Sequence, residues 1–125
     1  MTTLNDMFTI ETVVTRTYTT KTANTLEDTG ITFGDLEAGA IYAFYSDYTH
    51  GRIADLRIKA KNGSGSDIYF YEYCLNTNTS MRYALPVFYC HANKGSSYGD
   101  YHLLVSRTAT GSNTYTLYKI LGPLL

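Results

Sequence analysis

Hydrophobic and polar residues alternate along most of this 125-residue chain. The clearest stretch is 52–61, in which every second residue is apolar: Ala54, Leu56, Ile58 and Ala60. A period of two is typical of a β-strand with one face in the core and the other in water. The period of 3.6 that indicates a helix is almost absent. The pattern therefore predicts an antiparallel β protein.

Eight strands are predicted, at residues 7–20, 31–33, 40–48, 52–61, 67–75, 84–92, 98–107 and 114–121. Residues 21–29 are predicted to form a polar connection. The Gly- and Ser-rich stretch 62–66 is a strong hairpin signal between the fourth and fifth strands. Strands at this spacing predict an antiparallel β-sandwich, jelly-roll-like. No linker or repeat interrupts them, so a single domain over residues 1–125 is expected.

Composition and charge agree with this fold and exclude several functions. The chain has 19 Thr and 13 Tyr, which pack well on a pleated sheet. Its net charge of −1 argues against a nucleic-acid or anionic-membrane partner bound through bulk charge. No apolar run is long enough for a transmembrane helix. The N-terminus lacks the basic and apolar regions of a secretory signal, so either synthesis in the cytosol or cutting from a longer chain is expected.

No residue pattern indicates a metal site, a cofactor or a catalytic centre. Two Cys and three His show neither CxxC nor HxxxH spacing. Cys74 and Cys90 form either a disulfide or two buried thiols, and buried thiols are favoured because nothing indicates an oxidising compartment. No GxSxG elbow is present, and no second carboxylate is suitably spaced from Glu72. We therefore predict that the protein is not an enzyme.

The most unusual local feature is the strand at 68–75. Alternation places its tyrosines on one side and Ile68, Phe70, Glu72 and Cys74 on the other. If this strand pairs antiparallel with strand 84–92, with Cys74 opposite Cys90, then Tyr89 and His91 join the tyrosine side. The same pairing places Phe88 and Cys90 in the core. The candidate ligand-binding residues are then Tyr69, Tyr71, Tyr73, Tyr89 and His91. Tyrosine rings and hydroxyls suit a sugar or a protein partner. Alternatively, this face is a second core layer or is buried between subunits.

A second candidate site is the polar hairpin end formed by Asp47, His50, Arg52 and Asp55. These groups could bind an anion or a sugar, although such loops are usually only solvated. Glu72, if it faces inward, needs a partner such as Arg57.

The whole chain resembles the receptor-binding heads of bacteriophage tail fibres and baseplates, since it is a Thr-, Tyr- and Gly-rich β-domain with an apolar C-terminus. That resemblance implies a trimeric jelly roll that recognises cell-surface glycans. Residues 99–107 and 111–117 also resemble the last two strands of the accessory β-sandwich found after secreted bacterial peptidases. Neither resemblance assigns a role to a particular residue.

The predicted function is a non-enzymatic viral or phage module that binds a cell-surface glycan or protein receptor through its tyrosine face. A homo-oligomer, with a trimer favoured, is expected, located in the virion or outside the cell after release. Two alternatives are a structural virion or assembly protein, whose tyrosine face is a subunit interface, and the accessory domain of a secreted enzyme.

Overall fold

The computed structural model describes residues 8–47, 49–74 and 86–123, apart from the side chains of Phe8, Cys74 and Pro123. These residues form eight β-strands. In chain order they are β1 (Phe8–Thr20), β2 (Glu27–Phe33), β3 (Ile41–Ser46), β4 (Ile53–Lys61), β5 (Asp67–Cys74), β6 (Val87–Tyr89), β7 (Tyr101–Arg107) and β8 (Gly111–Pro123). The described residues include no helix, and therefore none of the length and apolarity needed to cross a membrane.

The strands form two antiparallel sheets of four strands each. Sheet 1 has the order β1-β8-β3-β6 and sheet 2 the order β2-β7-β4-β5. Strand β1 pairs with β8, β2 with β7, β3 with β6 and β4 with β5. These four nested pairs are one long hairpin wrapped into two packed sheets, which is the arrangement of a jelly roll. The predicted all-β, jelly-roll-like sandwich of about eight strands is confirmed.

The core lies between the two sheets and is filled by alternate residues of the strands. On β4, Leu56, Ile58 and Ala60 are fully buried, as the alternation predicts. From the facing sheet, β8 contributes Tyr115 and Leu117. Burial of a large apolar side chain stabilises the fold by about 1.5–3 kcal/mol. These inward positions therefore hold the two sheets together.

The predicted hairpin between β4 and β5 is also present. Its turn is organised by Asn62, whose side-chain Oδ1 accepts hydrogen bonds from the backbone N–H groups of Ser64 and Ser66, both at 3.0 Å. Gly65 has φ +80°, a left-handed conformation that glycine adopts without strain. The composition of this turn thus accounts for its geometry.

Strand β2 begins at Glu27, inside the stretch predicted to be a polar connection. The Glu27 carboxylate accepts hydrogen bonds from the Tyr18 hydroxyl at 2.8 Å and from the backbone N–H groups of Lys21 and Thr22. These bonds, that of Tyr18 foremost, hold the pKa of Glu27 below its usual value. A carboxylate satisfied in this way can occupy the first position of a strand.

The predicted pairing of strand 68–75 with strand 84–92 is wrong. β5 pairs with β4 at the edge of sheet 2, whereas β6 pairs with β3 at the edge of sheet 1. Because β4 and β5 form the innermost hairpin, the next pair outward, β3 and β6, lies in the facing sheet. Of the predicted strand 84–92, the structure forms only Val87–Tyr89 as a strand, and residues 84–85 lie outside the described part of the chain.

Strand β5 contains a bulge at Phe70. Ile58 of β4 lies opposite Tyr71, and the next residue, Lys59, lies opposite Tyr69, so Phe70 has no partner in the ladder. Opposite residues of an antiparallel pair share a face of the sheet. Tyr71 therefore follows Ile58 toward the core, and Tyr69 follows Lys59 to the outer face.

Candidate functional site

The three tyrosines of β5 do not form one surface. Tyr71 and Tyr73 lie opposite Ile58 and Leu56 and are partly buried against the core. Tyr69 is 42% exposed on the outer face of sheet 2, with the Arg57 guanidinium carbon 5.7 Å from its ring centroid. The bulge thus separates Tyr69 from the other two.

Strand β6 faces β5 across the gap between the sheets. Phe88 points inward, and the ring of Tyr71 stacks on it with the two centroids 4.3 Å apart. Tyr89, which is 52% exposed, makes an edge-on contact with His91 at a centroid distance of 4.9 Å. Aromatic side chains from both sheets therefore meet at this side of the sandwich.

A cleft of about 210 Å³ opens between the sheet edges formed by β5 and β6. We call it the edge cleft. Its lining residues are Leu36, Ile58, Phe70, Tyr71, Phe88, Tyr89, Cys90, His91, Ala92, Asn93 and Tyr101. Rings from both sheets dominate this lining, and none of these described lining residues is an Asp or Glu. The cleft is an aromatic site with a few neutral polar groups.

The polar groups of the edge cleft differ in how they are satisfied. Burial, followed by the nearby Tyr73, raises the pKa of Tyr71 to about 12, and the Tyr71 hydroxyl makes no hydrogen bond to another described residue. Burial also raises the pKa of Tyr101 to about 12. The Asn93 Oδ1 accepts a hydrogen bond from the Ala38 N–H at 2.7 Å. The Tyr71 hydroxyl therefore has bonding capacity left for a ligand.

The structure brings three of the five predicted ligand-binding residues to this cleft: Tyr71, Tyr89 and His91. They meet because two sheet edges face each other, whereas neighbouring strands of one sheet were expected. Tyr69 lies on the outer face of sheet 2, and Tyr73 points inward without lining the cleft. Sequence reasoning assigned Phe88 and Phe70 to the core and did not single out Tyr101. Alternation indicates an inward position, but it does not distinguish a closed core from an open edge.

Of the two alternatives left open for Cys74 and Cys90, the structure does not form the disulfide. Cys90 is a free, buried thiol, and its Sγ donates to the carbonyl oxygen of Ala92 at 3.5 Å. Burial raises the pKa of this thiol. Cys90 thus matches the favoured alternative of a buried thiol, and the side chain of Cys74 lies outside the described residues.

Arg107, at the end of β7, is fully buried and holds the loop that follows β3. Its guanidinium has five N–H donors, and the structure uses all of them. The acceptors are the carbonyl oxygens of Asp47 (2.9 Å), His50 (3.1 Å) and Gly51 (2.8 Å) and the hydroxyls of Ser46 (2.7 Å) and Tyr115 (3.2 Å). We call these residues the Arg107 cluster. All five acceptors are neutral, so none of these hydrogen bonds pairs the buried charge with a carboxylate.

Asn113 completes the attachment of the same loop. It is 1% exposed; its Oδ1 accepts from the His50 N–H at 3.1 Å, and its Nδ2 donates to the His50 carbonyl oxygen at 3.0 Å. The His50 ring packs against Gly111, where a Cβ atom would lie 2.3 Å from the His50 Cγ. Arg107 and Asn113 each lie in a strand with few charged neighbours, and sequence reasoning missed both.

The second predicted site is therefore only partly assembled. Asp47 and His50 belong to the Arg107 cluster, and the backbone of Arg52 exchanges hydrogen bonds with Thr108 at 2.9 and 3.0 Å. Asp55 lies instead on the outer face of β4, where it forms an ion pair with Arg57 at 2.8 Å. The contacts of Asp47, His50 and Arg52 show that the loop after β3 is a structural attachment between strands.

Ion pairs cover the outer face of sheet 2. Lys59 and Lys61 reach Asp67 at 3.2 and 2.8 Å and hold the pKa of that carboxyl below its usual value. His102 Nδ1 lies 3.2 Å from Asp28. Glu72 also lies on this outer face, with Arg57 as its partner at 4.0 Å, so its predicted inward position is wrong. The bulge and the pairing with β4 together place it there.

Within the described part of the chain, no three His, Cys, Asp or Glu side chains are arranged to hold a metal ion. Comparison of the chain with protein-family models, with curated proteins and with solved structures returns no match. The edge cleft is therefore the feature of the structure that bears most directly on function.

Proposed function

We propose that this protein is a non-enzymatic binding module that takes one sugar ring of a cell-surface glycan into the edge cleft. The observation that carries the proposal is the lining, in which aromatic rings from both sheets surround a few polar groups. A sugar presents apolar C–H faces that stack on such rings and hydroxyls that need hydrogen-bond partners. The cleft offers both kinds of contact.

The size of the cleft supports a single ring as the ligand. Its volume of about 210 Å³ lies below the roughly 300–1,000 Å³ of pockets that enclose drug-sized molecules. One terminal sugar fits this space better than a longer saccharide. The described lining residues also include no pair of carboxylates of the kind that glycoside hydrolysis requires, which supports binding without cleavage.

The hydroxyl of Tyr71 supplies a specific contact in this proposal. Like any tyrosine hydroxyl it is protonated at neutral pH, so it can donate to a ligand oxygen and accept from a ligand hydroxyl. A partly buried hydroxyl without a protein partner gains free energy when a ligand supplies one. His91 and Asn93 line the same cleft as further hydrogen-bonding groups.

The fold supports a place for this module on a virus or phage particle as a receptor-binding part. Jelly rolls include viral capsid and lectin domains. This analogy agrees with the resemblance of the chain to receptor-binding heads, whose ligands are surface glycans.

The experiment compares Tyr71→Phe with Tyr69→Phe. Both variants remove one hydroxyl from β5, two residues apart, but Tyr71 lines the edge cleft and Tyr69 lies on the opposite face. A glycan array with the wild-type protein first identifies a bound saccharide, and calorimetric titration then gives the affinities. The loss of one hydrogen bond, about 0.5–1.5 kcal/mol, weakens binding roughly 2- to 13-fold for Tyr71→Phe.

The control Tyr69→Phe is expected to bind as the wild type does. His91→Ala, a change at an exposed cleft residue, is expected to weaken binding as well. The proposal is refuted if no glycan binds, or if Tyr69→Phe and Tyr71→Phe change the affinity equally.

A further inference from the structure

The outer faces of the two sheets differ sharply in charge. On sheet 2, ion pairs join Asp28, Asp55, Arg57, Lys59, Lys61, Asp67, Glu72 and His102. On sheet 1, the registers place five residues of β1, five of β8, three of β3 and two of β6 on the outer face, and none is charged. They are Ile10, Thr12, Thr15, Thr17, Thr19, Ser112, Thr114, Thr116, Tyr118, Ile120, Ile41, Ala43, Tyr45, Val87 and Tyr89. We call this surface the charge-free face.

One end of the charge-free face is apolar. A row of directly opposite residues crosses all four strands of the sheet: Ile10, Ile120, Ile41 and Tyr89. Several apolar side chains of the face remain in contact with solvent, with Ile41 42%, Tyr45 49% and Val87 54% exposed. A contiguous apolar patch of this kind marks an interaction surface.

The other end of the face carries hydroxyl groups that are already paired with one another. The Oγ atoms lie 2.9 Å apart in Thr15–Thr116, 3.1 Å apart in Thr17–Thr114 and 2.6 Å apart in Thr19–Ser112. A hydroxyl that keeps such a bond loses little when water is removed from it. This end can therefore be covered without leaving the hydroxyls unsatisfied.

We propose that the charge-free face binds a second copy of the same chain. Depletion of charged residues and enrichment of tyrosine distinguish the centre of a protein interface from ordinary surface. A charged partner would bury its charges without opposite charges to pair with, because this face has none. A second copy of the chain brings a face that is equally free of charge. This surface shares only Tyr89 with the edge cleft, and the inference does not require the cleft to bind a sugar.

A two-fold axis parallel to the strands gives a self-complementary arrangement. Such an axis places Ile120 against Ile41 of the second copy and Ile10 against its Tyr89, so that the apolar row covers its own equivalent. The same axis places Thr116 of β8 against Tyr45 of the second copy. Two sheets that pack in this way cross at about −30° because each sheet is twisted.

The size of the face fits a weak but specific dimer. From strands about 4.8 Å apart and a rise of about 3.4 Å per residue, the whole face covers roughly 400–500 Å² per copy. Strands β3 and β6 end before the hydroxyl end of the face, so the two copies overlap over part of it and bury at most on the order of 1,000 Å² in total. This area lies at the lower limit for a specific interface. Association in the micromolar range is therefore expected.

The test is sedimentation velocity over a concentration series from about 1 to about 100 µM, which brackets micromolar association. The wild type is expected to shift from the monomer mass of 14.0 kDa to twice that mass. Ile41→Glu places a charge at the centre of the apolar row and is expected to weaken association at least 10-fold. Thr32→Glu adds the same charge at an exposed position on the outer face of sheet 2 and is expected to associate as the wild type does.

Far-ultraviolet circular dichroism confirms that each variant is folded. If Ile41→Glu does not fold, Val87→Glu on the short edge strand β6 makes the same test. The proposal is overturned by a wild type that stays monomeric over the whole series, by a trimeric mass, or by equal effects of the sheet 1 and sheet 2 substitutions.

Discussion

Replacing Arg107 with methionine keeps an unbranched side chain at a fully buried position but removes all five N–H donors. Three carbonyl oxygens and two hydroxyls of the Arg107 cluster then lose their partner. A hydrogen bond to a charged group contributes about 1.5–3 kcal/mol. Returning the guanidinium to water recovers several kcal/mol of its desolvation cost. The expected net loss in the free energy of unfolding is therefore about 3–5 kcal/mol.

Arg107→Lys separates the role of the charge from that of the hydrogen bonds. Lysine keeps the positive charge but has three donors, so at least two of the five bonds are lost. The expected loss is about 2–4 kcal/mol, less than for methionine. Because domains of this size unfold with about 5–15 kcal/mol, both variants are expected to fold at 25 °C.

The assay is equilibrium unfolding in urea, followed by circular dichroism. Arg16→Met is the matched control, because Arg16 is exposed and donates to the carbonyl oxygen of Thr15. Its expected effect is within about 0.5 kcal/mol. The reasoning is refuted if Arg107→Met lies within about 1 kcal/mol of the wild type, or if the control is equally destabilising.

Three further predictions concern other parts of the fold. Gly111 has φ +129°, and an added Cβ atom would overlap the His50 ring, so Gly111→Ala is expected to lower the free energy of unfolding in urea by about 2–4 kcal/mol. Gly30→Ala is expected to lower it less, because the added Cβ would meet no atom within 4 Å. Equal losses in the two variants would contradict the close contact at Gly111. Cys90 is expected to react with a thiol reagent slowly in the native protein and rapidly in urea, as followed by peptide mass mapping, and fast native labelling would contradict its burial. Three tyrosines have a folded pKa of about 12 against 10.0 for the ordinary group: Tyr18, Tyr71 and Tyr101. Their contribution to stability is fully present below pH 10 and is lost as the pH rises through 12, so the melting temperature is expected to fall over this window. If the absorbance of tyrosinate develops completely near pH 10, the raised pKa values of these three tyrosines are wrong.

The period of two in the sequence was sufficient to predict the fold class, because most strands keep one face inward over their whole length. On β4, for example, the alternation from Leu56 to Ala60 matches the burial of each residue. The alternation predicted the wrong faces for part of β5, because the bulge at Phe70 changes the phase of the strand and no residue type marks it. A period count cannot detect an extra residue of this kind.

The candidate site was predicted only in part, because it depends on which strands face each other. Tyr71, Tyr89 and His91 were chosen for their chemistry, and they do line one cleft. Their proximity arises from the nested pairing of the strands, which alternation does not specify. Arg107 was missed for a related reason: its five partners come from separate parts of the chain, and its role exists only once β3, β7 and β8 are assembled.

The difference in charge between the two outer faces means that salt acts in opposite senses on the two sides of the molecule. At about 1 M salt the screening length is roughly 3 Å, so the exposed ion pairs of sheet 2 weaken. Sulfate, which is excluded from apolar surface, at the same time favours covering the outer face of sheet 1. The same salt is therefore expected to weaken the ion pairs on the outer face of sheet 2 and to favour association through the outer face of sheet 1.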